Sequence, residues 1–196
     1  MLKSLLGNGE KKKPTAATKL PNRLHHTAYV TRDMEATRKF YEEVIGLPLL
    51  ATFCEKDELF GAERTYMHTF FGLGDDSALA FFQFASPEDQ EQFGPKMPFS
   101  PFHHVALHVD KDAQDEIEKR IKAAGYTEPE HFVLEHGYCR SVYVTDPNGM
   151  IIEFCHDDEA AMKDAPKRRA QAHAELKRWL AGDHRINNHY RRHEAA

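Results

Sequence analysis

His26 in "LHHTAYV" and His104 in "FHHVALH" stand 78 residues apart in segments of one pattern, and Glu153 lies in a third segment, "MIIEFC". All three segments read as strands, whose side chains alternate between two faces. In the first, Leu24, His26, Ala28 and Val30 share a face. In the second, the matching set is Phe102, His104, Ala106 and His108, and in the third Ile151, Glu153 and Cys155 fall together while Met150, Ile152 and Phe154 take the other side. A carboxylate on an inward face is costly unless something positive meets it. A divalent cation held by His26, His104 and Glu153 satisfies all three side chains.

Two imidazoles and one carboxylate presented from one side of a cation leave neighbouring positions open, as in the facial triads of non-haem Fe(II) oxygenases. Fe²⁺ with one carboxylate keeps a net positive charge, which suits a monoanionic catecholate with a position left for O₂. Ligand softness also admits Mn²⁺, Zn²⁺, Co²⁺ and Ni²⁺. The remaining strand histidines, His25, His68, His103 and His131, read as satisfied core or surface residues. His108 is given at most the role of a hydrogen-bonding support for a ligand.

These residues must be positioned by a repeated scaffold. "LHHTAYVT" reads as a strand and "RDMEATRKFYEEVIG" as a helix capped by Asp33 and stopped by Gly46. Three strands follow, near Leu49 to Phe53, Arg64 to Phe71 and Ser77 to Phe84. The order βαβββ then restarts with "FHHVALHV", a helix over "KDAQDEIEKRIKAAG", and strands at "HFVLE", "CRSVYVT" and "MIIEFC". The expected fold is therefore α+β, two βαβββ modules at 23–86 and 101–156 joined by a linker at 87–100 to form a domain over 23–156. An arm at 1–22 precedes it. A C-terminal segment at 157–196 carries a helix through Arg168 to Leu180 and a mobile last fourteen residues.

Composition narrows the function classes. The formal charge of -5 with both signs interspersed gives no electrostatic footprint for nucleic acid. No apolar run reaches membrane-spanning length, and the N-terminal order of apolar patch then lysines is the reverse of a signal peptide. Three cysteines without CxxC spacing argue against a disulfide framework. A cytoplasmic location is expected.

Over residues 24 to 156 the chain resembles the vicinal oxygen chelate superfamily, which includes glyoxalase I, bleomycin-resistance and fosfomycin-resistance proteins and type I extradiol dioxygenases. "HGYCRSVYVTDPNGMIIE" looks like the extradiol dioxygenase signature, with His136, Val142, Tyr143, Asp146, Pro147, Gly149 and Glu153 matching in order. Leu134 departs from the small or β-branched residue usual two places before the histidine. The resemblance implies a paired-sheet half-barrel, metal ligands at His26, His104 and Glu153, and catalytic roles for His136 and Tyr143 beside the bound substrate. It further implies an Fe(II) dioxygenase that opens a catechol-type ring with O₂, and a homodimer.

One departure points elsewhere. Dioxygenases of this group carry an acid-base histidine at the end of the first module, yet no histidine lies between His68 and His103. Matching "FFQF" to "IIEF" at an offset of 70 sets Gln83 against Glu153, where glyoxalase-type isomerases take a fourth ligand. An isomerase or lyase is thus the main rival reading. A non-enzymatic sequestering protein of the bleomycin-resistance kind is the other, although that class has little use for the three ligand residues together.

Overall fold

A computed structural model describes residues 21–94, 100 and 102–191. Its strands form two four-stranded mixed sheets, one from each module. The first module runs β1 (His26–Val30), α1 (Met34–Arg38) continuing into a π-helical stretch (Lys39–Ile45), then β2 (Leu49–Leu59), β3 (Ala62–Gly72) and β4 (Ala78–Phe84). The second runs β5 (His104–His108), α3 (Lys111–Ala123), β6 (His131–Glu135), β7 (Cys139–Thr145) and β8 (Ile151–Asp157). Strand orders are β1-β4-β3-β2 and β5-β8-β7-β6. The α+β repeat expected from the sequence is the one observed.

Local chemistry sets the element ends. Asp33 and Asp110 each accept a hydrogen bond from the backbone N–H three residues on, capping the helices that follow β1 and β5. Gly46 closes the π-helical stretch in the left-handed region at φ 95°. The linker expected at 87–100 holds a short helix, α2 (Pro87–Phe93), capped by Ser86. A buried ion pair between Arg64 and Asp89 fastens α2 to β3. Strand β2 runs six residues past its expected end at Phe53 and β3 starts two before Arg64, making a long hairpin in which Thr52 to Leu59 pair with Ala62 to Thr69.

The modules share one core. Phe40, Tyr41, Ile45, Phe71, Leu79 and Phe81 of the first pack in the same buried cluster as Ile121, Val142, Val144, Ile152 and Phe154 of the second. Each fully buried large side chain in such a cluster contributes about 1.5–3 kcal/mol. Polar contacts lock the seam: Arg120 donates to the carbonyls of Val44 (2.8 Å) and Glu43 (2.9 Å), and Thr31 Oγ1 donates to Asn148 Oδ1 (2.7 Å). The Tyr41 hydroxyl donates to Asp146 Oδ2 across 3.0 Å. Strand parity then fixes the opposite faces. Leu79, Phe81, Ile152 and Phe154 point into the shared core, so Ala80, Phe82, Glu153 and Cys155 point away from it.

Beyond the sheets lie α4 (Glu159–Lys163) and α5 (Ala165–Leu180). Described residues of the C-terminal segment, up to residue 191, pack back against the body. Asn188 Nδ2 donates to the His136 carbonyl at 3.0 Å, and the Tyr190 hydroxyl bonds Asp164. Tyr190 backbone lies so near Gly137 that an added Cβ would sit 2.2 Å from its carbonyl group. Gly137, with φ 81°, is a position where both space and backbone demand glycine. The expected N-terminal arm lies outside the described residues up to residue 20.

Candidate metal centre

The second module brings its two expected ligands together. His104 on β5 and Glu153 on β8 lie on the same outer face, with Ala106 directly paired to Glu153. His104 Nε2 stands 2.9 Å from Glu153 Oε2. His104 Nδ1 is 3.1 Å from the Phe102 carbonyl, which can only accept, so Nδ1 carries a proton. A neutral imidazole in that tautomer presents a lone pair at Nε2 to a carboxylate that also offers lone pairs. Two acceptors this close are reconciled by a proton or by a cation between them. Two ligands bound at about 2.1 Å and roughly a right angle lie about 3.0 Å apart, which is the spacing found. Glu153 is only 6% exposed, and its other oxygen accepts from the Ser141 hydroxyl at 2.5 Å. The pair therefore fits a divalent cation, with Phe102 and Ser141 holding its ligands in place.

His26 occupies the matching place on β1, on the outer face of the first sheet. Its Nδ1 meets His25 Nδ1 at 2.7 Å, so one of the two rings donates to the other. The ring of His26 packs against His68 and Phe70, with centroids 6.0 and 5.6 Å away. Within one chain it does not join the second-module pair. Among the described residues, the three-residue group whose ligand atoms all lie within 4.8 Å of one another is Cys139, Glu153 and Cys155. The physical reason is the shared core: both histidine-bearing faces are turned away from it.

His136 and Tyr143 also meet. Tyr143 on β7 shares the outer face with Glu153, its direct partner on β8, and its ring stands edge-on to His104 at 5.9 Å. His136, in the turn before β7, places Nε2 3.1 Å from the Tyr143 hydroxyl. Burial, with the Glu153 charge adding to it, pushes the Tyr143 phenol up to about 12. The hydroxyl stays protonated and can donate. The "DPNG" segment turns as its sequence implies: Gly149 N–H donates to the Asp146 carbonyl at 3.0 Å and Gly149 has φ 85°. The Asp146 carboxylate accepts from the backbone N–H groups of Asn148 and Met150, which fixes the register delivering Glu153 outward.

Other sequence readings divide. His131 is a satisfied core histidine, Nδ1 donating to the Tyr143 carbonyl at 2.9 Å. His108 is exposed and lies 3.9 Å from Asp157, away from the Glu153 pair, so it does not support the ligands. Gln83 is a correction. The ladder pairs Ala28 with Ala80 and Ala106 with Glu153, so Ala80 is the structural counterpart of Glu153. Gln83 sits three residues further, on the helix-facing side. Its Oε1 accepts from Met34 N–H at 3.1 Å and its amide donates to the Arg32 carbonyl at 3.4 Å. It cannot be a fourth ligand on the face of His26.

His68 reads from the sequence as a satisfied core or surface residue, with His136 or His68 the candidates to replace the acid-base histidine missing from the first module. On β3 it lies on the outer face, stacked on Phe82 at 3.7 Å, and its Nε2 is buried without a hydrogen-bond partner. Burial, and secondarily the neighbouring His26, holds its imidazole below the usual range, so it is neutral near pH 7. Ser141 and the Phe102 carbonyl were missed because neither signals itself by type or spacing.

No helix among the described residues is long and apolar enough to cross a membrane. The lactoylglutathione lyase of Neisseria meningitidis serogroup A is 29% identical over 147 residues, covering 73% of this chain and 99% of that protein. A probable lactoylglutathione lyase of Vibrio parahaemolyticus is 28% identical over 139 residues, covering 71% of this chain and 94% of that one. Among solved structures, the fosfomycin resistance protein FosX of Listeria monocytogenes superimposes with a TM-score of 0.52 at 18% identity, over 72% of this chain and 98% of that chain. The family model described as Glyoxalase/Bleomycin resistance protein/Dioxygenase superfamily matches residues 23–154. With both sheets, both modules and most of the sequence inside that match, the chain belongs to the glyoxalase, bleomycin resistance protein and dioxygenase superfamily.

Proposed function

We propose that this protein is a metal-dependent isomerase or lyase of the glyoxalase kind, acting on small substrates with oxygen on adjacent carbons, such as thiol adducts of 2-oxoaldehydes. The observation that carries the reading is the 2.9 Å approach of His104 Nε2 and Glu153 Oε2 with His104 Nδ1 already committed to the Phe102 carbonyl. The two lactoylglutathione lyases support this chemistry over ring cleavage. Ring opening of a catechol, the first expectation from the signature, has no support from the named relatives, and neither has iron over other divalent ions.

The metal would be held by His104 and Glu153 of one chain and His26 of the partner subunit. Two features favour a site shared across a dimer: the histidine faces are turned away from the common core, and Leu24, Phe53 and Phe102 are exposed there, Phe102 by 86%. When bound, a divalent cation supplies Lewis acidity toward a carbonyl or an ionised hydroxyl. Glu153 would carry a proton between adjacent carbons. Tyr143 would donate to a substrate oxygen, and His136, behind it, would exchange the proton of that hydroxyl.

The test is anaerobic loading of the purified protein with Mn²⁺, Zn²⁺, Ni²⁺ or Fe²⁺ in separate samples. Each is then assayed on methylglyoxal thiol adducts and, in air, on a catechol panel with oxygen uptake. Turnover of the adducts without oxygen uptake is expected. Oxygen consumption with a catechol, and none of the adducts turned over, would replace this reading with the ring-cleavage one, for which the His136–Tyr143 contact is the favouring feature.

A further inference from the structure

The outer face of the second sheet carries a second set of donors beside the His104 side of Glu153. Cys139 opens β7, Cys155 lies near the end of β8, and their sulfurs and a Glu153 oxygen all fall within 4.8 Å of one another. Cys139 and Glu153 are buried and Cys155 is half-buried. Ser141 sits among them, its hydroxyl 3.7 Å from Cys139 Sγ and donating to Glu153 Oε1. Nothing in the proposed reaction uses either thiol.

A disulfide is the wrong reading of this pair. The ladder sets Cys139 against Asp157 and Cys155 against Ser141, so the two cysteines are diagonal neighbours. Diagonal positions on an antiparallel pair are about 7–8 Å apart at Cα, beyond the reach of an unstrained disulfide, which needs less than about 7 Å. A cation spans the gap without moving backbone. Two thiolates bound at about 2.3 Å in a tetrahedron stand about 3.8 Å apart, which is compatible with sulfurs that lie within 4.8 Å of each other. Thiolate donors select thiophilic ions such as Zn²⁺, Cd²⁺ or Cu⁺ over Mn²⁺ or Mg²⁺.

We propose that Cys139, Cys155 and Glu153 Oε1 form a thiophilic-cation site distinct from the His104 side of the same carboxylate. Two thiolates and a carboxylate outweigh a divalent charge and leave a fourth position for water. Glu153 Oε2 faces His104 and Oε1 is held by Ser141, which neighbours Cys139, so a soft ion taking Oε1 on the cysteine side would draw the carboxylate away from His104. Cysteine-bound Cd²⁺ or Zn²⁺ would thereby oppose metal binding on the histidine side.

The site can be read without any enzymatic assay, from the ultraviolet thiolate-to-cadmium charge-transfer band during titration of the full chain with Cd²⁺ alone. One tightly bound Cd²⁺ per chain is expected. Cys155→Ser and Cys139→Ala should each weaken it at least tenfold, as should Glu153→Gln, while His104→Ala and Cys54→Ser leave it in place. Cys155 is half-buried and lies toward the end of its strand, so its variant keeps the test open should replacing buried Cys139 impair folding. A band that survives Cys155→Ser unchanged, or that disappears in Cys54→Ser, would overturn the site. Because His104→Ala removes the histidine side only, failure of the proposed function leaves this result readable.

Discussion

Ala80 and Glu153 occupy the same rung of their two sheets, each across a parallel ladder from an alanine two residues beyond the strand histidine. The first module therefore offers a methyl group where the second offers a carboxylate. Restoring symmetry gives a sharp expectation. Ala80→Glu buries a charge beside His26 and should lower the melting temperature of the metal-free protein, then increase its thermal gain on adding Mn²⁺ or Zn²⁺ relative to the parent. Gln83→Glu, on the helix side, should leave metal affinity unchanged and cost about 1 kcal/mol through the lost amide donor to Arg32. Altered metal affinity in Gln83→Glu would contradict the register.

Ser141 fixes the orientation of the Glu153 carboxylate through Oε1. Removing an outer partner of a metal ligand typically costs 10–100-fold in affinity. Ser141→Ala is expected to lose about that factor for a hard divalent ion, measured by equilibrium dialysis, with the fold intact by circular dichroism. Unchanged affinity would mean that the oxygen facing His104 needs no second anchor.

Tyr143 is pushed up to about 12, so it works as a donor rather than a base across the physiological range. Tyr143→Phe should lower kcat by about 10²-fold, the scale of losing one donor to a developing oxyanion. The shape of the pH-rate profile between about pH 6 and 10 should not change. If the variant instead removes a limb of that profile, the phenol is titrating in the reaction.

Asp146 links folding to pH at the seam between modules. Burial raises its pKa above the usual carboxylate value, in spite of hydrogen bonds from Asn148, Met150 and Tyr41 that lower it. The native state then holds a proton that the unfolded chain has released. Where the native state binds more protons, stability falls as pH rises. The loss begins near the unfolded pKa of 3.8 and is complete above the native one. Tyr29, Tyr41 and Tyr126 feel this charge but stay neutral there, their phenols being raised chiefly by burial. Asp146→Asn is expected to flatten the decline in urea-unfolding free energy between pH 4 and 7. An unaltered slope would assign the pH dependence to other groups.

Much of this arrangement was legible in the chain. Alternation in "LHHTAYV" and "FHHVALH" put both histidines on equivalent faces, and the turn chemistry of "DPNG" set the direction of Glu153. The error at Gln83 arose because the repeat is not evenly spaced: β1 and β5 match at an offset of 78, but Ala80 and Glu153 match at 73. The first module holds a longer hairpin, and a slip of three residues reverses a strand's face. Long-range relations were the other blind spot. Nothing local announces that Tyr41 will seek Asp146, or that Asn188 will settle on the turn of His136.

The long β2–β3 hairpin and its rings leave the two repeats unequal. The outer face of the second repeat carries His104, Tyr143 and Glu153, while that of the first carries His26 and His68 among the rings of Phe53, Phe70 and Phe82. Of the outer-face residues in the first repeat only His26 is a proposed ligand, so substitutions at Phe53, Phe70 or Phe82 would change the aromatic surroundings while leaving every proposed donor in place.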